Sequence, residues 1–170
     1  MTPFNNDKIQ FKEEQHFRQG WLWALLIFAS VASILLPLLV GLQETTKRRE
    51  VMWVVAGVIV LQGINISLFY ITKFETVVTN KGIYYRWWPF FRRYTFLPFD
   101  EIASVNSVKW TYMHWGYSKT KKFGKAHTIS GDKGVQIEMK NGNKYYIGSQ
   151  KAFALQTCCE QMMRNPLKYS

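Results

Sequence analysis

Two long apolar stretches near the N-terminus dominate the pattern of hydrophobic and polar positions. Residues 20–43 contain no charged side chain, and residues 51–72 form a second apolar run after a short charged turn. A helix needs about 20 apolar residues to cross the hydrocarbon core of a bilayer. The pattern therefore predicts two transmembrane helices, 20–43 and 51–72, and their short connection makes them an antiparallel hairpin with both chain ends on one side.

Small and polar residues mark candidate contact faces on these two helices. Ala29 and Ser33 lie on a small-residue face of the first, which allows close approach of a second helix. Gln62 and Asn65 are three residues apart on the second and share a face. Amides in hydrocarbon need hydrogen-bond partners, so we expect them to contact the other helix or a second copy of the chain. A transport role is the alternative.

Residues 1–19, before the first apolar stretch, mix apolar and charged positions. The spacing of Phe4, Ile9, Phe11 and Phe17 indicates an amphipathic helix lying in the membrane interface. The alternative is a frayed tail whose last turns continue into the first span. On either interpretation this is a juxtamembrane segment outside the soluble domain.

From residue 73 onward the apolar positions alternate with polar ones, which predicts β-structure. Strands are predicted at residues 74–79, 83–88, 90–97, 102–110, 126–130, 135–139 and 144–147. Turn signals stand at residues 80–82 and at Asn141-Gly142. Residues 150–164 predict an amphipathic helix, with Ala152, Leu155, Cys159 and Met162 on its core-facing side.

These elements together predict an α+β membrane protein. A transmembrane hairpin, 20–72, is followed by a domain of residues 73–170, in which a small antiparallel barrel is plugged by the C-terminal helix 150–164. Closing the sheet would hide its edges, and the helix would bury its apolar stripe.

Charge is concentrated in the soluble part. The chain has a formal net charge of +11, and residues 73–170 hold 16 Lys and Arg against six Asp and Glu, a net +10. A basic domain tethered to a bilayer points to anionic lipid headgroups, since each Lys or Arg near such a surface adds about 1 kcal/mol. Nucleic acid is not expected as a partner, because the domain is held at a membrane.

Two basic and aromatic segments are the candidate binding sites for lipid or a protein partner. The first is a predicted long loop, residues 111–125, whose candidate residues are Lys119, Lys121, Lys122, Phe123 and Lys125, preceded by Trp110, Tyr112, Trp115 and Tyr117. The second is a hairpin tip with Arg86, Trp87, Trp88, Arg92 and Arg93, which also contains Phe90 and Phe91. Cations beside exposed aromatic rings favour an anionic interface. The alternative is a solvated loop whose aromatic rings pack on the barrel.

No pattern indicates an enzyme. His16, His114 and His127 have no partner at metal-ligand spacing. Asp100 and Glu101 are adjacent, which indicates a turn more than an acid–base pair. We therefore expect no catalytic residue, no metal and no cofactor.

The positive-inside rule sets the expected orientation. Eight Lys and Arg flank the spans on the side of the two chain ends, and three lie in the turn between the spans. Lys and Arg accumulate on the cytoplasmic side. The expected location is the inner, or cytoplasmic, membrane with both termini in the cytoplasm.

Three stretches resemble bacterial membrane-anchored proteins that carry a pleckstrin-homology-like (PH-like) domain behind two transmembrane helices. They are residues 97–105, LPFDEIASV; residues 134–142, GVQIEMKNG, with 146–150, YIGSQ; and residues 14–19, EQHFRQ, ahead of the first span. The resemblance implies a PH-like barrel over residues 73–170 and supplies no catalytic residue.

The expected function is that of a membrane-anchored binding module for anionic lipid headgroups or a membrane protein partner. The alternative is a structural or assembly subunit of a membrane complex or homo-oligomer, without a ligand of its own.

Overall fold

The computed structural model describes residue 4 and residues 7–43, 48–109, 116–129 and 131–164. The chain divides into two compact units, one made of Met1–His16 with Lys73–Ser170 and the other of Phe17–Thr72. The first unit contains the strands and the C-terminal helix, and the second contains the two long apolar helices. The architecture is α+β, in agreement with the sequence.

The second unit consists of α1 (Gly20–Gln43) and α2 (Arg48–Ile71). Both helices are long and apolar enough to cross a membrane. The two predicted segments are therefore confirmed as helices, and α2 begins three residues before the predicted start at residue 51.

The contact between the two apolar helices contains a small polar cluster. Gln62 Oε1 accepts a hydrogen bond from Ser30 Oγ at 3.1 Å, and Gln62 Nε2 donates to Ser33 Oγ at 3.2 Å. The Gln62 amide thus finds its partners inside the hairpin. Ala29 and Asn65 lie on exposed faces instead.

The first unit contains a four-stranded antiparallel sheet, which we call sheet A. Its strands are β1 (Ile9–His16), β2 (Lys73–Thr79), β3 (Gly82–Trp88) and β4 (Thr95–Pro98), in that spatial order. The turn at residues 80–82 joins β2 to β3 as predicted. The strand expected over 90–97 is short and starts only at Thr95.

Strand β1 corrects the expectation for residues 1–19, because residues 9–16 are neither an amphipathic helix nor a frayed tail. They pair with β2 along their length, from Ile9 opposite Thr79 to His16 opposite Lys73. Glu13 and Gln15 are buried. These polar side chains face inward, so the segment lacks the apolar alternation that identifies a half-buried strand.

A second sheet, sheet B, contains five strands in the order β5-β8-β9-β7-β6. They are β5 (Ile102–Lys109), β6 (Gly116–Thr120), β7 (Gly124–Thr128), β8 (Lys133–Met139) and β9 (Lys144–Gly148). Strands β7 and β9 pair in parallel, and the other pairs are antiparallel. The described part of the predicted loop 111–125 is thus a β-hairpin. Trp110, Tyr112 and Trp115 lie outside the described residues.

The described strands form two sheets and not the single closed barrel that the sequence suggested. Helix α3 (Ala152–Arg164) follows, and Ala152, Leu155, Cys159 and Met162 are all buried, which confirms the predicted stripe. This helix packs on β5 and β8. Asp100 and Glu101 lie in a short 3-10 turn, Phe99–Glu101, as their adjacency indicated.

Candidate anion-binding site

The hairpin β6–β7 carries an unusual pair of like charges. Lys119 lies directly opposite Lys125 across the two strands. Like charges in this position destabilise a sheet. Because both side chains are exposed, an anion bound between them would remove the repulsion.

Phe123 anchors this hairpin to the protein interior. It is completely buried with Ala126 and Tyr146, and its ring centroid lies 5.3 Å from that of Tyr146. Its backbone N–H donates to Thr120 Oγ1 at 3.0 Å, which closes the turn. Phe123 was predicted to be an exposed membrane contact, and this prediction is wrong. The buried ring instead holds the β6–β7 turn, residues 120–124, against the interior.

The parallel pairing of β7 with β9 brings the turn before β9 next to the β6–β7 turn. Lys125 is the partner of Tyr145 in this pairing. Gly124, at φ +68°, makes this approach possible, because a Cβ there would clash with the backbone carbonyl of Lys144. A depression of about 280 Å³ results, and its lining residues include Lys119, Lys121, Lys125, Asn143, Lys144 and Tyr145. We call this depression the lysine site.

The electrostatic balance of the lysine site is positive. Lys144 forms an ion pair of 2.6 Å with Glu138. Within the described part of the chain, Lys119, Lys121, Lys122 and Lys125 form no ion pair. The ammonium of Lys125 lies 5.6 Å from the ring centroid of Tyr145. Three uncompensated ammonium groups around one depression are suited to binding a phosphate-type anion.

Lys122 belongs to the same turn but points elsewhere. Its ammonium lies 5.1 Å from the ring centroid of Phe123. Its carbonyl accepts a hydrogen bond of 3.3 Å from Gln136 Nε2 of β8, which lies beyond β9 in sheet B. Lys122 thus adds charge near the lysine site without lining it.

The second predicted segment divides into buried and exposed residues. Trp87 is buried, and its Nε1 donates to His127 Nδ1 at 2.9 Å. Burial, with Lys125 nearby, lowers the pKa of His127 to about 4, so the imidazole is a neutral acceptor near pH 7. Because Trp87 packs in the interior, it is not exposed to a lipid or partner, which corrects its expected position at an open tip.

Arg86 is engaged by a buried carboxylate. Its Nε contacts Glu75 Oε2 at 2.5 Å, and Glu75 also binds Lys73 Nζ at 2.5 Å and Tyr94 Oη at 2.6 Å. Burial opposes ionisation of Glu75, but the hydrogen bonds from Arg86, Lys73 and Tyr94 outweigh it and lower its pKa to about 2. The Arg86 guanidinium also lies 5.4 Å from the ring centroid of Trp88. We call Glu75, Lys73, Arg86 and Tyr94 the Glu75 cluster.

A larger depression, of about 630 Å³, lies near the 3-10 turn and the end of α3. Its lining includes Lys81, Phe96, Asp100, Lys140 and Met162. Lys81 is already paired with Asp7 at 2.6 Å. This depression therefore combines apolar surface with compensated charge, and it is less suited to an anion than the lysine site.

The structure joins three of the predicted lysines with residues that sequence reasoning missed. Lys144 and Tyr145 join Lys119, Lys121 and Lys125, whereas Arg92 and Arg93 lie on the β3–β4 loop of sheet A. The Asn141-Gly142 turn allowed the sequence to place Lys144 at the start of a strand. No nearby sequence pattern indicated that this strand, β9, pairs in parallel with β7.

The described residues contain no group of three or more His, Cys, Asp or Glu side chains that could hold a metal ion. No protein-family model, curated protein or solved structure matches this chain.

Proposed function

We propose that this protein is a membrane-anchored binding module whose lysine site binds the phosphate of an anionic lipid headgroup. In this proposal α1 and α2 cross the cytoplasmic membrane, both termini are cytoplasmic, and the strands with α3 form a PH-like domain at the membrane surface. The observation that carries the proposal is the convergence of Lys119, Lys121 and Lys125 on one depression without carboxylate partners.

Several features support this proposal. The two apolar helices have the length of membrane spans. The two sheets are followed by a helix that buries its apolar face, which is the element order expected of a PH-like domain. A lysine near an anionic surface contributes about 1 kcal/mol, so three lysines would contribute about 3 kcal/mol, or roughly a 100-fold change in the dissociation constant.

Native mass spectrometry of the full chain, released from detergent micelles, tests the proposal. The probes are phosphatidylglycerol and phosphatidylcholine with identical acyl chains, and the test variant combines Lys119→Gln, Lys121→Gln and Lys125→Gln. A matched control combines Lys133→Gln, Lys140→Gln and Lys151→Gln, which removes the same charge from exposed lysines outside the lysine site.

We expect the wild type and the control to retain phosphatidylglycerol in preference to phosphatidylcholine. The test variant should bind phosphatidylglycerol roughly 100-fold more weakly. Equal losses in both triple variants would mean that total charge matters and the lysine site does not. Equal binding of the two lipids by the wild type would contradict recognition of an anionic headgroup.

A second candidate function, assembly into a homo-oligomer, is favoured by Asn65. Its side chain is exposed on α2 and makes no hydrogen bond with any described residue. An amide carries both donors and an acceptor, so two copies can satisfy each other across a helix pair. The mass of the full chain in detergent, measured by light scattering, tests this, and Asn65→Leu should convert an oligomer to a monomer. A monomeric wild type would refute the assembly function.

A further inference from the structure

The β3–β4 loop lies at the end of sheet A from which both connections to the apolar helices leave. Trp88, the last residue of β3, is paired with Lys73, and Lys73 is paired with His16. His16 is the last residue of the strand unit before the hairpin, and Lys73 is the first one after it. Only Thr72 separates Lys73 from the end of α2, and a residue adds at most about 3.6 Å of chain.

This loop exposes two adjacent aromatic side chains, and two arginines follow them directly in the sequence. Phe90 and Phe91 are each 63% exposed. Arg92 and Arg93 are exposed and form no ion pair among the residues that the structure describes. Moving an exposed phenylalanine side chain out of water is favourable, so burial of these two rings would contribute to the free energy of binding.

The loop is held in shape by the sheet beneath it. Phe91 N donates to Trp87 O at 2.7 Å, and Arg86 Nη1 donates to Arg92 O at 3.3 Å. Arg86 is itself held by Glu75. The Glu75 carboxylate also accepts a hydrogen bond from the hydroxyl of Tyr94, at the other end of the loop. A loop that is already ordered loses little conformational entropy when it binds, so exposed rings on it are effective anchors.

We propose that Phe90 and Phe91 insert into the boundary between headgroups and acyl chains of the bilayer that α1 and α2 cross, with Arg92 and Arg93 at the headgroups. This inference rests on the membrane placement in the proposed function. Exposed phenylalanines with neighbouring cations match the interfacial region in both polarity and charge. The loop lies on the same strand ends as His16 and Lys73, the residues that precede and follow the apolar hairpin in the chain, and this favours the bilayer over a protein partner as the occupant.

Spin labels on the full chain in liposomes of phosphatidylcholine and phosphatidylglycerol test the insertion. Cys158 is replaced by alanine, and Cys159 is retained because its buried thiol has a raised pKa and is unreactive. Labels are placed separately at Phe91→Cys, at Leu36→Cys in α1, and at Asp100→Cys, an exposed position beyond the opposite end of β3. The collision rate of each label with oxygen, which dissolves in lipid, is compared with that of a water-soluble nickel complex.

We expect the Phe91 and Leu36 labels to collide with oxygen and to lose access to nickel, while the Asp100 label keeps full nickel access. A Phe91 label as accessible to nickel as the Asp100 label, with Leu36 still protected, would overturn the insertion and leave the membrane placement intact. Nickel access at Leu36 would overturn the membrane placement and, with it, the insertion. A label at Phe90→Cys repeats the test at the adjacent residue, so that one disturbed side chain does not decide the result.

Discussion

Replacing Glu75 with glutamine removes the charge at the centre of the Glu75 cluster while keeping the size of the side chain. The carboxylate is 3% exposed, and it accepts from Arg86, Lys73 and Tyr94. Its pKa is about 2, against an ordinary value of 4.5. At about 1.4 kcal/mol per pKa unit, this difference corresponds to about 3 kcal/mol of folding free energy near pH 7.

The direction of the pH dependence follows from the lowered pKa. A carboxyl that is more acidic in the folded state stabilises the fold above its unfolded pKa. The contribution of Glu75 is therefore complete above about pH 4.5 and is lost as the pH falls from about 4.5 to about 2. In Glu75→Gln this dependence should disappear, because glutamine does not titrate.

Amide hydrogen exchange of the full chain in lipid nanodiscs measures the effect on the strand unit while the helices stay in place. Protection factors of β2 and β3 should fall by roughly two orders of magnitude in Glu75→Gln at pH 7, in line with a loss of about 3 kcal/mol. Asp132→Asn is the matched control, since both side chains of its pair with Lys109 are exposed and such a pair contributes little to stability. Equal protection in the two variants would refute the argument.

Three further predictions concern single residues of the strand unit. The pKa of His127 is about 4, so the fold should lose about 3 kcal/mol as the pH falls from about 6.5 to about 4; His127→Gln should flatten this part of the pH profile measured by near-UV circular dichroism. Gly124→Ala forces an unfavourable φ and a clash with the carbonyl of Lys144. The variant should lose about 1 kcal/mol or more of unfolding free energy. It should also bind phosphatidylglycerol more weakly in native mass spectrometry, although its charge is unchanged. Glu13→Ala removes the acceptor of Ser149 Oγ and should cost about 2–3 kcal/mol of unfolding free energy, whereas unchanged hydrogen exchange at the start of α3 would contradict that estimate.

The helices and most strands could be predicted because their signals are local in the sequence: a long apolar run in α1 and α2, a periodic apolar stripe in α3, and turn residues between strands. The 24-residue apolar segment of α1 and the stripe Leu155–Cys159–Met162 on α3 are local patterns. The Asn141-Gly142 turn likewise identified the β8–β9 hairpin, where Gly142 adopts φ +81°.

Only some residues of the lysine site could be predicted, because the site is formed by strands that are distant in the sequence. The run of lysines in residues 119–125 is visible in the sequence, but it does not by itself distinguish a hairpin from an irregular loop. Lys144 joins them because β9 lies parallel to β7, with Lys125 opposite Tyr145. The burial of Phe123 and Trp87 could not be foreseen, because an aromatic residue beside a cation suits either a core position or an interface.

Strand β1 could not be predicted for a different reason, and its position determines which fragment of the protein can be used in binding experiments. Its inward side chains, Glu13 and Gln15, are polar, and their partners lie more than 130 residues away at Gly148 and Ser149. Removing residues 9–16 would leave the edge of β2 unpaired and strip the acceptor from the turn that leads into α3. A fragment that begins at Lys73 would therefore lack one strand of sheet A as well as the apolar helices. Lipid binding has to be measured on a chain that keeps both sides of the apolar hairpin, since a negative result with the shorter fragment would report damage to sheet A and nothing about the lysine site.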